Sequence, residues 1–120
     1  MQWKLDKHRA ICPQIKEQIC VRIARGEYKA NDRLSSVREV ALAAGVNPNT
    51  VQKAFTELES SGLIYSVRGS GWFVADNTDT AKGIALAMVK IKTAAYVSEM
   101  QSLGFSLDEI KKYLEEWENE

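Results

Sequence analysis

The chain has 120 residues, 45% of them hydrophobic, and its sixteen Lys/Arg balance sixteen Asp/Glu. That length allows one full domain plus an appendage, with enough apolar residues for a core. No run approaches the ~18 apolar residues of a membrane span, and the opening Met1-to-Lys7 stretch lacks the apolar region of a signal peptide, so the expected location is cytoplasmic.

The net charge of zero hides a split. Residues 1–75 hold eleven Lys/Arg and seven Asp/Glu, a balance of +4, and residues 76–120 hold five and nine, a balance of −4. One half is suited to face an anion and the other is not.

In chain order, the first predicted helix runs from about Cys12 to Arg25. Pro13 fits its first turn, and Ile15, Ile19, Cys20, Ile23 and Ala24 make an apolar stripe of mixed three and four spacing. Gly26 ends it. Cys12 and Cys20 lie eight apart and share a face; with only His8 nearby they read as inert thiols and not as a metal site. Arg33-Leu34 suggests a short strand.

Ser36 with Glu39 three residues on is a capping box that opens a second helix. Val37, Val40, Ala41 and Ala44 face its core side, and Gly45 suits a left-handed helix end. Asn47 is an N-cap and Pro48 a first-turn proline. They start a third helix, Pro48 to Ser60, with Val51, Phe55 and Leu58 on one face. Gly62 stops it. Leu63–Val67, the turn Arg68-Gly69-Ser70-Gly71 and Trp72–Ala75 then make a small hairpin. Two short helices at a turn, followed by a ribbon with a basic tip, form a winged helix-turn-helix. In that arrangement the second helix enters the DNA major groove with its first residues at base edges.

The strings Arg33–Glu39, Gly45–Val51, Glu57–Ile64 and Gly69–Ala75, in this order and spacing, resemble the DNA-binding domain of GntR-type bacterial transcription regulators. The likeness reaches upstream through Gln14-Ile15 and Gly26–Tyr28, so it covers about residues 10–75. Three places depart from the family pattern: Ser35 replaces the usual proline, Ala30-Asn31 the usual Pro-Gly, and Pro48 and Gln52 stand where many relatives carry arginines. The short all-helical tail resembles the YtrA-like subgroup, whose members lack a large effector-binding domain. The resemblance implies a transcription regulator, often of a neighbouring transporter operon.

The tail begins at Asp76-Asn77-Thr78-Asp79, which breaks the pattern and caps a long helix from about Thr80 to Leu103. That helix is apolar on more than one side, with Ile84, Met88, Ile91, Ala95, Tyr96 and Met100. Gly104 ends it. Ser106 and Glu109 form a second capping box for a last helix, Leu107 to about Trp117, offering Ile110, Leu114 and Trp117. Such a hairpin is too small to be its own core. The economical solution is an isologous two-fold contact with a second copy, the alternative being packing back onto the winged domain. The expected architecture is therefore mainly α with a small β-hairpin wing: a winged helix-turn-helix domain over residues 1–76 and a helical dimerisation and effector tail over 77–120.

The candidate DNA-binding residues follow from this layout. Arg38 suits a phosphate or base contact, which the resemblance supports, and Ser36 stands beside it. Asn49, Thr50 and Gln52 offer the amide and hydroxyl groups that read base edges. Asn47 is a cap first and a contact second, and Lys53 suits backbone phosphate. Arg68, Gly69 and Ser70 form the wing tip, able to approach a narrow groove. Trp72 and Tyr65 read as hairpin packing. Candidate dimer-interface residues are Ile84, Met88, Ile91, Ala95, Tyr96, Met100, Ile110, Leu114 and Trp117, where a small-molecule effector could also lodge.

Catalysis is not expected. His8 is the single histidine, no Ser–His–Asp set is plausible, and no phosphate loop or metal-binding helix motif is present; no cofactor is implied. Two functions remain: a dimeric, sequence-specific repressor on an inverted-repeat operator, or a winged-helix protein-interaction module. The polar start of the third helix favours the first.

Overall fold

The computed structural model describes residues 2–76 and 78–119. An extended arm leads into α1 (Ile11–Ala24), followed by α2 (Val37–Ala44), α3 (Pro48–Ser60), strands β1 (Ile64–Val67) and β2 (Gly71–Val74), then α4 (Thr78–Ser102) and α5 (Leu107–Glu118). The strands pair antiparallel, with Ile64 opposite Val74 and Val67 opposite Gly71. Arg33 makes an isolated bridge to Phe73, and the Leu34 amide donates to the Trp72 carbonyl at 2.9 Å. The expected strand beside the wing is thus a single bridge.

The chain divides into two compact units, up to Ala85 and from Leu86 onward. In the first, α1, α2 and α3 close over a core in which Ile15, Val51 and Phe55 are buried. The Phe55 ring meets Trp72 edge-on, with centroids 5.4 Å apart, so the ribbon is anchored to α3 by an aromatic pair of favoured geometry. Tyr65 stacks on Phe73 at 5.6 Å. Trp72 and Tyr65 are hairpin packing, as expected.

Helix ends are set by local chemistry. Gly45, at φ 68°, closes α2 in the left-handed region, which costs glycine least. Asn31 also sits there, at φ 70°. It occupies the position of the family's usual glycine, and asparagine is among the few side chains that tolerate this region.

The first unit continues beyond the expected boundary after residue 76. Ala81 is fully buried in its core, Ile84 packs against that core, and the Cys20 thiol faces the Ala81 carbonyl at 3.8 Å. The opening turns of α4 thus complete the winged unit. Helix α4 starts at Thr78, two residues before the expected Thr80 and inside the stretch Asp76–Asp79 expected to cap it, with Asp79 in its first turn; Asn77 of that stretch lies outside the described residues.

In the second unit, Gly104 at φ 97° ends α4, and Ser106 with Glu109 forms the capping box that starts α5. Phe105 meets Tyr113 edge-on at 5.5 Å, and Ile110 is buried. Among the described residues, no helix is long and apolar enough to cross a membrane.

Candidate nucleic-acid interface

The interface is built around two capped helices and a ribbon. At α2, the Ser36 hydroxyl accepts from the Glu39 amide at 3.0 Å, and the Glu39 carboxylate accepts from the Ser36 amide at 3.1 Å. That amide bond, more than any other cause, holds the Glu39 carboxyl below its ordinary range. Arg38, one residue inside the helix, is exposed and forms no ion pair with another described residue. Its guanidinium donors are therefore open to an outside acceptor.

At α3, the Asn47 side-chain oxygen accepts from the Asn49 amide at 2.8 Å, with Pro48 in the first turn. Asn47 is a cap, as expected; its amide nitrogen is the part left for a ligand. Val51, Ala54, Phe55 and Leu58 are buried, which turns Asn49, Gln52 and Lys53 outward, with Thr50 half-buried. Gln52 Nε2 lies 3.3 Å from Thr56 Oγ1, and that hydroxyl donates to the Gln52 carbonyl at 2.9 Å. The Gln52 amide is thereby steadied along the helix, with its oxygen free to accept.

Lys53 has company on the α1 side. Glu57 accepts from Lys16 at 3.2 Å and from the Cys12 thiol at 3.4 Å. These two bonds, Lys16 first, hold the Glu57 carboxyl down, with Lys53 adding to the pull. Burial, then Glu57, pushes the Cys12 thiol up, and burial pushes up Cys20. Both thiols are therefore less nucleophilic than a free cysteine.

The wing tip is Arg68-Gly69-Ser70, all exposed. The Ser70 amide donates to the Val67 carbonyl at 2.9 Å across Gly69 at φ 79°, the geometry of a type II turn. At the wing's base, the Tyr65 hydroxyl and the Asn31 side-chain oxygen lie 2.9 Å apart.

Two cations outside the candidate set join this surface. The Arg33 guanidinium lies beside Gly71, at ordinary contact distance from where a side chain there would begin, and Gly71 itself is held at φ 117°. Lys7 Nζ reaches the Gly45 carbonyl at 3.5 Å, at the turn between α2 and α3. No local pattern marks either one; each is brought in by a segment folded against the motif.

The candidate interface residues of the tail fall into groups. Ile91, Tyr96, Leu114 and Trp117 are exposed large apolar side chains. Ala95 is exposed, and Met88 and Met100 are half-buried. Ile84 packs on the winged core and Ile110 is buried within the chain. Those two are committed to internal packing and are not an open face.

Residues 13–74 match the family profile described as bacterial regulatory proteins, gntR family. The chain belongs to that family. It is 33% identical over 108 residues to the HTH-type transcriptional repressor YtrA of Bacillus subtilis (strain 168), covering 88% of this chain and 82% of that protein. A solved GntR family transcriptional regulator from Listeria monocytogenes superposes with a TM-score of 0.82 at 35% identity, over 93% of this chain and 98% of the other. The DNA-binding domain of AraR, solved in complex with operator ORE1, matches with a TM-score of 0.54 at 34% identity, over 62% of this chain and 94% of that one. This GntR-family chain is accordingly a YtrA-like winged-helix transcription regulator, and its relatives are regulators and not enzymes.

Proposed function

We propose that this chain is a dimeric repressor that binds an inverted-repeat operator in duplex DNA. The observation that carries the reading is the outward polar face at the start of α3, Asn49, Gln52 and Lys53, beside the ion-pair-free Arg38 and the exposed wing tip. Amide and hydroxyl groups there suit base edges, while Arg38 and Lys53 suit phosphates. Ser36 and Asn47 hold the helix ends and offer what their caps leave free, and Arg68, Gly69 and Ser70 reach an adjacent groove. DNA contact belongs to the part before about residue 76 and subunit pairing to the tail after it.

The dimer is supported by the apolar side chains that the tail leaves exposed, a quantity unusual for a monomer. A two-fold pair of α3 helices would read half-sites about 34 Å apart, or a multiple of that. An effector lodged between paired tails would shift the population of DNA-competent dimers. The setting is the bacterial cytoplasm, and a neighbouring transporter operon is the proposed target.

The test is a gel-shift titration on the DNA upstream of the chain's own gene, with competitor DNA, a salt series and the variants Arg38→Ala and Gln52→Ala. Tight binding should resist competitor and fall by about three decades between 50 and 200 mM salt for ~6 phosphate contacts. Arg38→Ala should weaken it roughly tenfold, the equivalent of about 1.4 kcal/mol. Binding that competitor DNA removes equally well, unchanged by Arg38→Ala, would sink the operator reading in favour of a protein-interaction surface.

A further inference from the structure

Residues 2–10 precede the family match, yet they are fastened to α1 in a regular way. Three α1 side chains spaced four apart, and so on one face of the helix, hold the backbone of this arm. Gln14 donates to the Asp6 carbonyl at 2.8 Å and to the Ala10 carbonyl at 2.9 Å, and accepts from the Asp6 amide at 2.8 Å. Gln18 donates to the Lys4 carbonyl at 2.8 Å. Arg22 donates to the Gln2 carbonyl, and its guanidinium lies 4.7 Å from the Trp3 ring centroid. The arm runs antiparallel to α1, and its alternate residues Trp3 and Leu5 pack against the core, as an extended segment requires.

The far end of this ladder delivers one charge to one place. The Asp6 carboxylate is taken up by the His8 amide at 3.0 Å and by Arg9 at 3.2 Å. Lys7, between them, forms no ion pair with a described residue; its ammonium reaches the Gly45 carbonyl at 3.5 Å. Gly45 is two residues before Asn47, the cap of α3. An exposed cation is thus parked beside the start of the helix proposed to read DNA.

We propose that the strapped arm is a further DNA-contacting surface, in which Lys7 binds a backbone phosphate flanking the groove that α3 enters. The proposal rests on the operator reading above. An ammonium suits this role as a point charge with three donors, of which the Gly45 carbonyl uses one. Phosphate contacts fix register and carry no sequence information, so Lys7 strengthens binding to any duplex and holds α3 in place. Gln14, Gln18 and Arg22 are positioning residues: they act through the arm.

The experiment measures the dissociation constant of the full chain for an operator fragment and for random duplex DNA across a salt series. It compares wild type, Lys7→Ala, Lys7→Arg and Gln18→Ala, with a thermal melt of each. Lys7→Ala should weaken both DNAs by a similar factor and lower the magnitude of the salt slope by about one per protomer, while Lys7→Arg restores the slope. Gln18→Ala, a substitution at a half-buried position that loosens the strap, should weaken binding by less. An unchanged slope in Lys7→Ala overturns the proposal even if the melting temperature falls, because the lysine is then only a cap for the end of α2. Wild-type protein without salt-dependent duplex binding overturns the operator reading and the arm with it. A slope change in Lys7→Ala that Lys7→Arg reverses, with Arg38→Ala weakening operator binding in the gel-shift titration above, supports both.

Discussion

In the winged unit most large aliphatic side chains and Phe55 are inside: Phe55, Ile15, Ile64 and Val74 are each no more than 2% exposed, with Leu42 at 76% and Val67 at 43% the exposed ones. In the tail, Ile110 alone of the large apolar residues described from Leu86 onward reaches that level, while Trp117 is 74%, Leu103 70% and Ile91 69% exposed. The two units have similar local order, with a capping box in each, so the difference does not lie in helix formation. It lies in whether a chain can satisfy its own hydrophobic surface. The first unit has three helices and a ribbon to close over one another. The second has the end of one helix and a short one, and it leaves most of its large apolar side chains exposed, the face to which the proposed pairing is assigned.

The sharpest way to break the comparison is to make the closed unit fail. Phe55→Ala removes the ring that packs on Trp72 and leaves a cavity where α3 meets the ribbon. It should cost about 3–5 kcal/mol, measured by urea unfolding, and a cost near zero would mean the core is not shared between them. A smaller effect, visible only in assembly, is expected from the open unit. Leu103→Ser with Trp117→Ser should leave the melt of dilute protein nearly unchanged and weaken self-association by roughly 30-fold or more, at about 2 kcal/mol for a central aromatic anchor. Sedimentation across micromolar concentrations reads it, and an unchanged dimer would place the interface elsewhere.

The smallest effect concerns the capping box of α2. Ser36→Ala should cost about 1 kcal/mol at neutral pH. Because the fold holds the Glu39 carboxyl below its usual 4.5, its contribution is present above that value and is lost as pH falls through the lower folded value. Glu39→Gln should therefore flatten the acid limb of a stability profile run from pH 6 to 3. A variant that loses stability in parallel with wild type over that range would assign the acid sensitivity to another group.

How much of this was legible in the sequence depends on how local the cause is. The two capping boxes, Asn47-Pro48, Gly45 and the wing turn are decided by residues within four positions of each other, and the helices α2 and α3 appear with the bounds that this chemistry sets. The family membership was legible for the same reason, as an ordered series of short strings. What could not be read was long-range. The strap needs Gln14, Gln18 and Arg22 to meet a segment with no periodic signal of its own. Arg33 reaches the wing only because the segment before α2 folds back to bridge Phe73. Ala81 and Ile84 follow a break that looks like a domain boundary, and only the three-dimensional core recruits them. Ile110 has the same apolar spacing as its exposed neighbours, and spacing does not say which of them is covered within the chain.

The wing has one further consequence. Its base is held by the Arg33 bridge to Phe73, the Tyr65–Phe73 stack and the Tyr65–Asn31 contact, while its tip is three exposed residues closed by a single backbone bond from Ser70 to Val67. The residues that stabilise the hairpin are thus separate from those to which recognition is proposed. Arg68 and Ser70 are exposed, so a change at either leaves the base of the hairpin intact, provided Gly69 at φ 79° keeps the turn. Under the proposed reading, a change of target by exchange of the tip costs the fold nothing, much as a tool changes its bit while the handle stays the same.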